Sequence, residues 1–149
     1  MTQDEPEALQ GLQGVEVIRR KPEMFAGEKP WGPRLSADLI KDIVYLDAMP
    51  ATVARGNKWW VVSSEKDWLS SGNGFDLGPF RGVVRIPEIG AFAIRTEVVI
   101  AALSVAVVTS GSDGTTWIVG DKVKIPLPAE INQQIENIEK GRIVAFMIE

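Results

Sequence analysis

The sequence contains no cysteine and no histidine in 149 residues. The first absence excludes disulfides and thiolate metal sites. The second removes the commonest general base and the commonest metal ligand, so a Ser-His-Asp triad is excluded and a typical zinc site loses its usual ligands. Long apolar runs are missing as well. The longest, Val98 to Val108, is about half the length a membrane span needs and contains Ser104. An extended basic stripe is also absent. Arg19, Arg20 and Lys21 form the densest cationic cluster, Glu23 follows it, and the net charge is −4. That cluster reads as a solvated helix end, so direct nucleic-acid binding is not expected. The first residues, Met1 to Glu7, are acidic and lack the basic start and apolar core of a signal peptide. The expectation is a soluble, cytoplasmic protein with no membrane contact.

What is present is an ordinary globular mixture, 45% hydrophobic and 24% charged. At this length it suits one domain, residues 9–149, preceded by a flexible arm over residues 1–8. Leu9, Leu12, Val15, Val17 and Ile18 recur at near-helical spacing, and Pro22 ends that helix. Phe25 to Pro33 reads as loop. A second helix is expected from Ser36, as its N-cap, to Met49, with Leu39, Ile40, Ile43, Val44 and Leu46 as its buried stripe. Pro50 stops it. Strands are expected over 51–55 and 58–63, joined by a turn at Gly56-Asn57. Ser70 to Gly82 reads as loop and Val83 to Ile86 as a short strand. Glu88 to Leu103 reads as a buried helix. A hairpin follows, 104–110 with 115–119, then a strand over 122–127, a helix over 128–139 and a last strand over 142–148. The fold class is an α+β two-layer sandwich, a mixed, largely antiparallel sheet with helices on one face.

The first helix and its exit read Leu12-Gln-Gly-Val-Glu-Val-Ile-Arg-Arg-Lys-Pro-Glu-Met-Phe-Ala-Gly27. This resembles the N-terminal signature of the ATPase subunits of gyrase B and topoisomerase IV. Thr96-Glu-Val-Val-Ile-Ala-Ala-Leu-Ser104 is similar to that family's helix leading into a "V-V-N-A-L-S" strand. Gly141-Arg-Ile-Val-Ala-Phe-Met147 is similar to its closing strand. The resemblance implies the GHKL, or Bergerat, α/β sandwich, in a shortened and degenerate form.

The family's chemistry rests on three motifs, and each departs here. By spacing, the "E-x-x-x-N" of the second helix falls on Lys41 and Tyr45. A charged lysine accepts no proton from water, and a phenol is a poor magnesium ligand. Asp38 and Asp42 lie near the glutamate position without a following Asn, and both read as solvated helix-face residues. The adenine-reading "D-x-G-x-G" matches Val62-Ser-Ser-Glu-Lys-Asp-Trp68, with Ser64 or Ser63 for the Asp and Glu65 and Asp67 for the glycines. Side chains in place of glycine narrow a ligand pocket, and carboxylates repel a triphosphate. The glycine-rich lid shrinks to Gly72-Asn-Gly74 and Gly78 to Gly82.

Three readings follow. In the first, the chain is a non-catalytic ATPase-like module that binds or regulates another protein, with no catalytic residue, no metal and no cofactor, and with a homodimer as one arrangement. In the second, it binds a small ligand in an altered pocket lined by Lys41, Tyr45 and Ser64, unless Lys41 bonds Glu65 and the crevice is filled. The third is a residual gyrase B-type ATPase. Adjacent Trp59 and Trp60 face opposite sides of a strand. If one sheet face is bare, one of these rings is exposed and marks a partner surface.

Overall fold

In the computed structural model, residues 14–71, 74–86 and 93–148 are described. Helix α1 spans Gly14–Arg20 and turns Gly14 and Ile18, one turn apart, into the core. Its expected start at Leu9 and the arm over 1–8 lie outside the described residues. Pro22 ends α1 and also opens a short helix, α2, at Pro22–Ala26. A proline fits there because the first helical N–H has no partner in any case. The second long helix, α3, spans Trp31–Tyr45, so it begins before the expected Ser36. Pro33 sits in its first turn, where proline is tolerated. Ser36 is therefore no N-cap. Its hydroxyl donates back to the Gly32 carbonyl at 2.8 Å. The helix closes before Pro50: Ala48 N–H reaches the Ile43 carbonyl at 3.0 Å and Asp47 N–H the Val44 carbonyl at 3.1 Å. Asp47 takes φ 57 to make this Schellman turn.

Strands β1, Ala51–Gly56, and β2, Trp59–Ser64, form a hairpin with Asn57 at φ 56 in its turn. The expected loop after Trp68 carries more structure than predicted. Ser70–Ser71 (β3) pairs with Gly74–Phe75 (β4), and Gly78–Arg81 makes one helical turn, α4. Residues 83–86 form no strand, only a bridge between Arg85 and Ile94. That bridge explains why the next helix starts late. Arg95 N–H bonds the Val84 carbonyl at 2.6 Å, so 93–95 are extended, and helix α5 spans only Glu97–Leu103. The first part of the helix expected from Glu88 falls mostly outside the described residues.

Strands β5, Ala106–Gly111, and β6, Gly114–Val119, form the second hairpin. The strand expected over 122–127 is a turn instead. The Asp121 carboxylate accepts from Val123 N–H at 2.9 Å, and its carbonyl from Ile125 N–H at 2.8 Å. A short polar side chain bonding its own backbone competes with strand formation. Helix α6, Ala129–Glu136, and strand β7, Arg142–Met147, complete the chain.

The five main strands are ordered β1-β2-β7-β5-β6, and every neighbouring pair is antiparallel. No parallel pairing of the expected mixed kind occurs among the described residues. Helices α1, α3 and α5 cover one face around Ile18, Leu35, Leu39, Ile43, Val62, Val144 and Phe146. The expectation of helices on one face only is corrected by α6. Its Ile131 packs on the other face with Trp59, Val61, Ala106, Val108, Ile143 and Ala145. The physical reason is the consecutive apolar runs 59–62, 106–108 and 143–147 within β2, β5 and β7. Strand residues alternate between faces, so a run without polar interruption demands cover on both. Trp59 and Trp60 do point to opposite sides, but neither side is bare. Trp59 is buried edge-on against Trp117 at 6.3 Å, and Trp60 is half-buried beside the α3 core.

Candidate functional site

The crevice anticipated from sequence lies where α3 meets the segment after β2. There Ser64, Lys41 and Tyr45 do not converge. Ser64 is buried; its hydroxyl donates to the Ala48 carbonyl and accepts from Lys66 N–H at 3.1 Å, which ties the end of α3 to the end of β2. Tyr45 stands on the outer flank of α3 with 47% of its surface exposed. Lys41 borders a depression of about 400 Å³ with Met24, Phe25, Asp38, Asp42 and Thr96. Ser64 borders a different cavity, and Tyr45 neither. The alternative expectation, a Lys41–Glu65 pair, does not form either. Glu65 pairs with Lys140 at 3.5 Å.

Asp42 is not a solvated residue. It is 1% exposed, and its Oδ2 accepts from Thr96 N–H at 2.6 Å, which holds the start of α5 against α3. Burial pushes its pKa up to about 6. The bonds from Thr96 oppose that shift, the Glu97 carboxylate adds to it and Arg95 opposes it. Asp38 is half-buried, and burial raises its pKa against the pull of Lys41 and Arg34.

Asp42 borders the depression, and a buried charged cluster lies beside it at the start of α5. Glu97 is fully buried and accepts from Arg95 Nε at 3.1 Å, Arg95 Nη2 at 2.7 Å and the Trp68 indole N–H at 2.9 Å. Three donors thus engage the buried carboxylate.

Asp67, at one of the glycine positions of the adenine motif, has a structural role. It receives Arg142 Nε at 3.0 Å and Nη2 at 2.7 Å and caps Leu69 N–H at 2.9 Å. Asp113 of the β5–β6 turn also meets Arg142 Nη2, at 2.6 Å, and the guanidinium lies 4.0 Å from the Phe75 ring centroid. One buried arginine on the central strand thus gathers the loop after β2, the β3–β4 hairpin and the far β5–β6 turn. Gly141 makes room for this. It has φ +87, and a Cβ there would collide with the Ser64 carbonyl.

The glycine-rich stretch does not form a bare amide cradle. Asp76 Oδ1 accepts from Gly78 N–H at 2.8 Å, and a carboxylate at that amide opposes an anion. Gly72 lies outside the described residues. Among the described residues no group of three His, Cys, Asp or Glu side chains comes together as a metal site.

Arg95, Glu97 and Arg142 are absent from the sequence reading. Two charges spaced as in Arg95-Thr-Glu97 ahead of an apolar helix carry a weak signal of a paired helix start. Arg142, squeezed between Gly141 and a fully apolar strand, carries a stronger one, because a buried arginine needs acidic partners.

Among the described residues, larger concavities lie elsewhere. One, about 770 Å³, runs between β1, β2 and α6 and is lined by Thr52, Ala54, Ser63, Gln133 and Asn137 among others. Another, about 610 Å³, lies beside the start of α3 and carries Lys29, Trp31, Arg55, Lys58 and Trp60. No protein-family model matches the chain, and no curated protein matches it in sequence.

Proposed function

We propose that the chain is a non-catalytic, ATPase-like domain that works as a protein-interaction or regulatory module. One observation carries this reading. Beside α3, where the resemblance would seat a nucleotide, a depression of about 400 Å³ is left, and the start of α5 next to it is fixed by Asp42 on the Thr96 N–H and by the buried Glu97 with Arg95 and the Trp68 indole. Enlarging that depression toward α5 for a magnesium triphosphate means breaking a buried ion pair and uncovering a buried indole. Loss of one partner of a buried pair alone costs about 3–5 kcal/mol. Lys41 and Tyr45, at the positions of the base and the magnesium ligand, offer neither chemistry.

A second reading has a specific support. The 770 Å³ groove under α6 has the size of a small-ligand site and is lined by amide and hydroxyl side chains. A ligand there would sit on the sheet face opposite the resemblance's nucleotide.

Titration with ATP and magnesium, followed by tryptophan fluorescence and melting temperature, tests the proposal. A ligand at 100 times its Kd adds about 2.7 kcal/mol to stability, readily seen as a melting shift. The expected result is no shift and no phosphate release. Hydrolysis refutes the non-catalytic reading. A shift without hydrolysis transfers support to the ligand binder.

A further inference from the structure

We propose that the free edge of β1, together with the basic groove beside it, takes an extended acidic segment of a protein partner as a sixth strand. The inference rests on the interaction-module reading and names the partner's chemistry.

Strand β1 is terminal in the sheet and pairs only with β2. Its hairpin has a two-residue turn, so the flanking pair Gly56 and Trp59 is a hydrogen-bonded one. The alternation then turns the backbone N–H and C=O groups of Ala51, Val53 and Arg55 outward. Among the described residues, no backbone hydrogen bond from outside the sheet reaches residues 51–56. Val53 leaves 46% of its surface exposed on the side that carries Trp60 and α3. An unpaired edge with an exposed apolar side chain is the template that strand addition uses.

The groove supplies the selectivity. Its lining holds Lys29, Arg55 and Lys58 and, among the described residues, no acid. None of the three cations is in a salt bridge with a described residue. Lys29 lies 4.8 Å from the Trp31 ring centroid and Arg55 5.0 Å from that of Trp60. The chain as a whole carries −4, so this local positive charge runs against its background. Glu130 of α6 approaches Gly56 at the hairpin turn, but on the other face of the sheet. A strand laid along β1 would bring alternate side chains past Val53 and Arg55. Glutamates or aspartates there would meet Arg55, Lys58 and Lys29, and a neighbouring apolar residue would cover Val53. The same cations oppose edge pairing with a second copy, since they would bring like charges together. Nucleic acid is the competing guest for a basic groove with two indoles, and the test below includes it.

The probe is a capped, fluorescein-labelled peptide of alternating Glu and Val, about nine residues long so that it overreaches β1. Anisotropy with the full chain should show saturable binding that weakens with salt. The same peptide with Lys for Glu should not bind. The double variant Arg55→Glu/Lys58→Glu should weaken binding at least tenfold. Arg55→Gln/Lys58→Gln replaces it if the charge reversal lowers the melting temperature. Val53→Pro removes an outward N–H without breaking the β1–β2 ladder and should also cost at least tenfold, with all three cations retained. Lys140→Glu, outside the groove, should stay within twofold. Absence of saturable binding to the folded protein overturns the proposal. So does binding indifferent to Val53→Pro, or a preference for a thymidylate dodecamer over the peptide. A dimer in sedimentation that Val53→Pro dissociates overturns it as well, since the edge is then taken by a second copy. ATP and magnesium are titrated into the same samples. Failure of the peptide without an ATP response refutes this edge alone, whereas an ATP response refutes the module reading beneath it.

Discussion

At the scale of single residues, the buried charges set the chemistry. Asp42 has a folded pKa near 6 against an ordinary value of 3.8. Between those values the folded form keeps a proton that the unfolded chain has released. Stability therefore falls as pH rises through this window, and the penalty persists above it. Asp42→Asn retains an acceptor for Thr96 N–H and removes the charge. It is expected to flatten the pH dependence between pH 4 and 6 and to raise stability at pH 7 by about 1–3 kcal/mol, measured by urea denaturation across that range. Arg142 works in the opposite sense. Its guanidinium is wholly buried and binds Asp67 and Asp113 together. Arg142→Met leaves two carboxylates facing each other and should cost about 3–5 kcal/mol in the same assay. Asp113→Ala should cost less, about 1 kcal/mol, because Asp67 keeps both of its guanidinium bonds and Asp113 is partly hydrated.

At the scale of elements, legibility followed the strength of the local pattern. Of the stripe read for α3, Leu39 and Ile43 are buried and Ile40 and Leu46 half-buried, while Val44 is 51% exposed, and the two hairpins are announced by Gly, Asn and Asp at their turns. Boundaries were harder. Pro33 reads as a helix breaker, yet in a first turn it breaks nothing, so α3 begins earlier than its sequence suggests. The helix expected from Glu88 shortens because residues 84–86 compete for the backbone of 93–95, a long-range pairing that no local window contains. The strand expected over 122–127 gives way to the side chain of Asp121. The end of α3 offers a test at this scale. Asp47 occupies a left-handed conformation at φ 57, which costs an L-residue energy that glycine avoids. Asp47→Gly is expected to add about 0.5 kcal/mol, seen as a melting temperature higher by about 1–2 °C in calorimetry.

At the scale of the whole molecule, the sequence made the α+β class legible but not the cover on both sheet faces. The clue was present in Trp59-Trp-Val-Val62 and Ile143-Val-Ala-Phe146, apolar at every position and so buried on both sides. The candidate site was legible chiefly through what it lacks. Nothing in the spacing foretells that Trp68 meets Glu97, because that contact depends on how α5 docks against the loop after β2. Lys41, Tyr45 and Ser64 were chosen from a linear motif, and folding sends them to separate surfaces.

The position of β7 has a consequence for how the chain is made. The strand that welds the two hairpins into one sheet is, among the described strands, the last to be synthesised. Until residues 142–147 emerge from the ribosome, β2 and β5 each present an unpaired, apolar margin to the surroundings. The nascent chain must hold these two sticky halves apart, by speed or by a chaperone, until its final keystone drops between them.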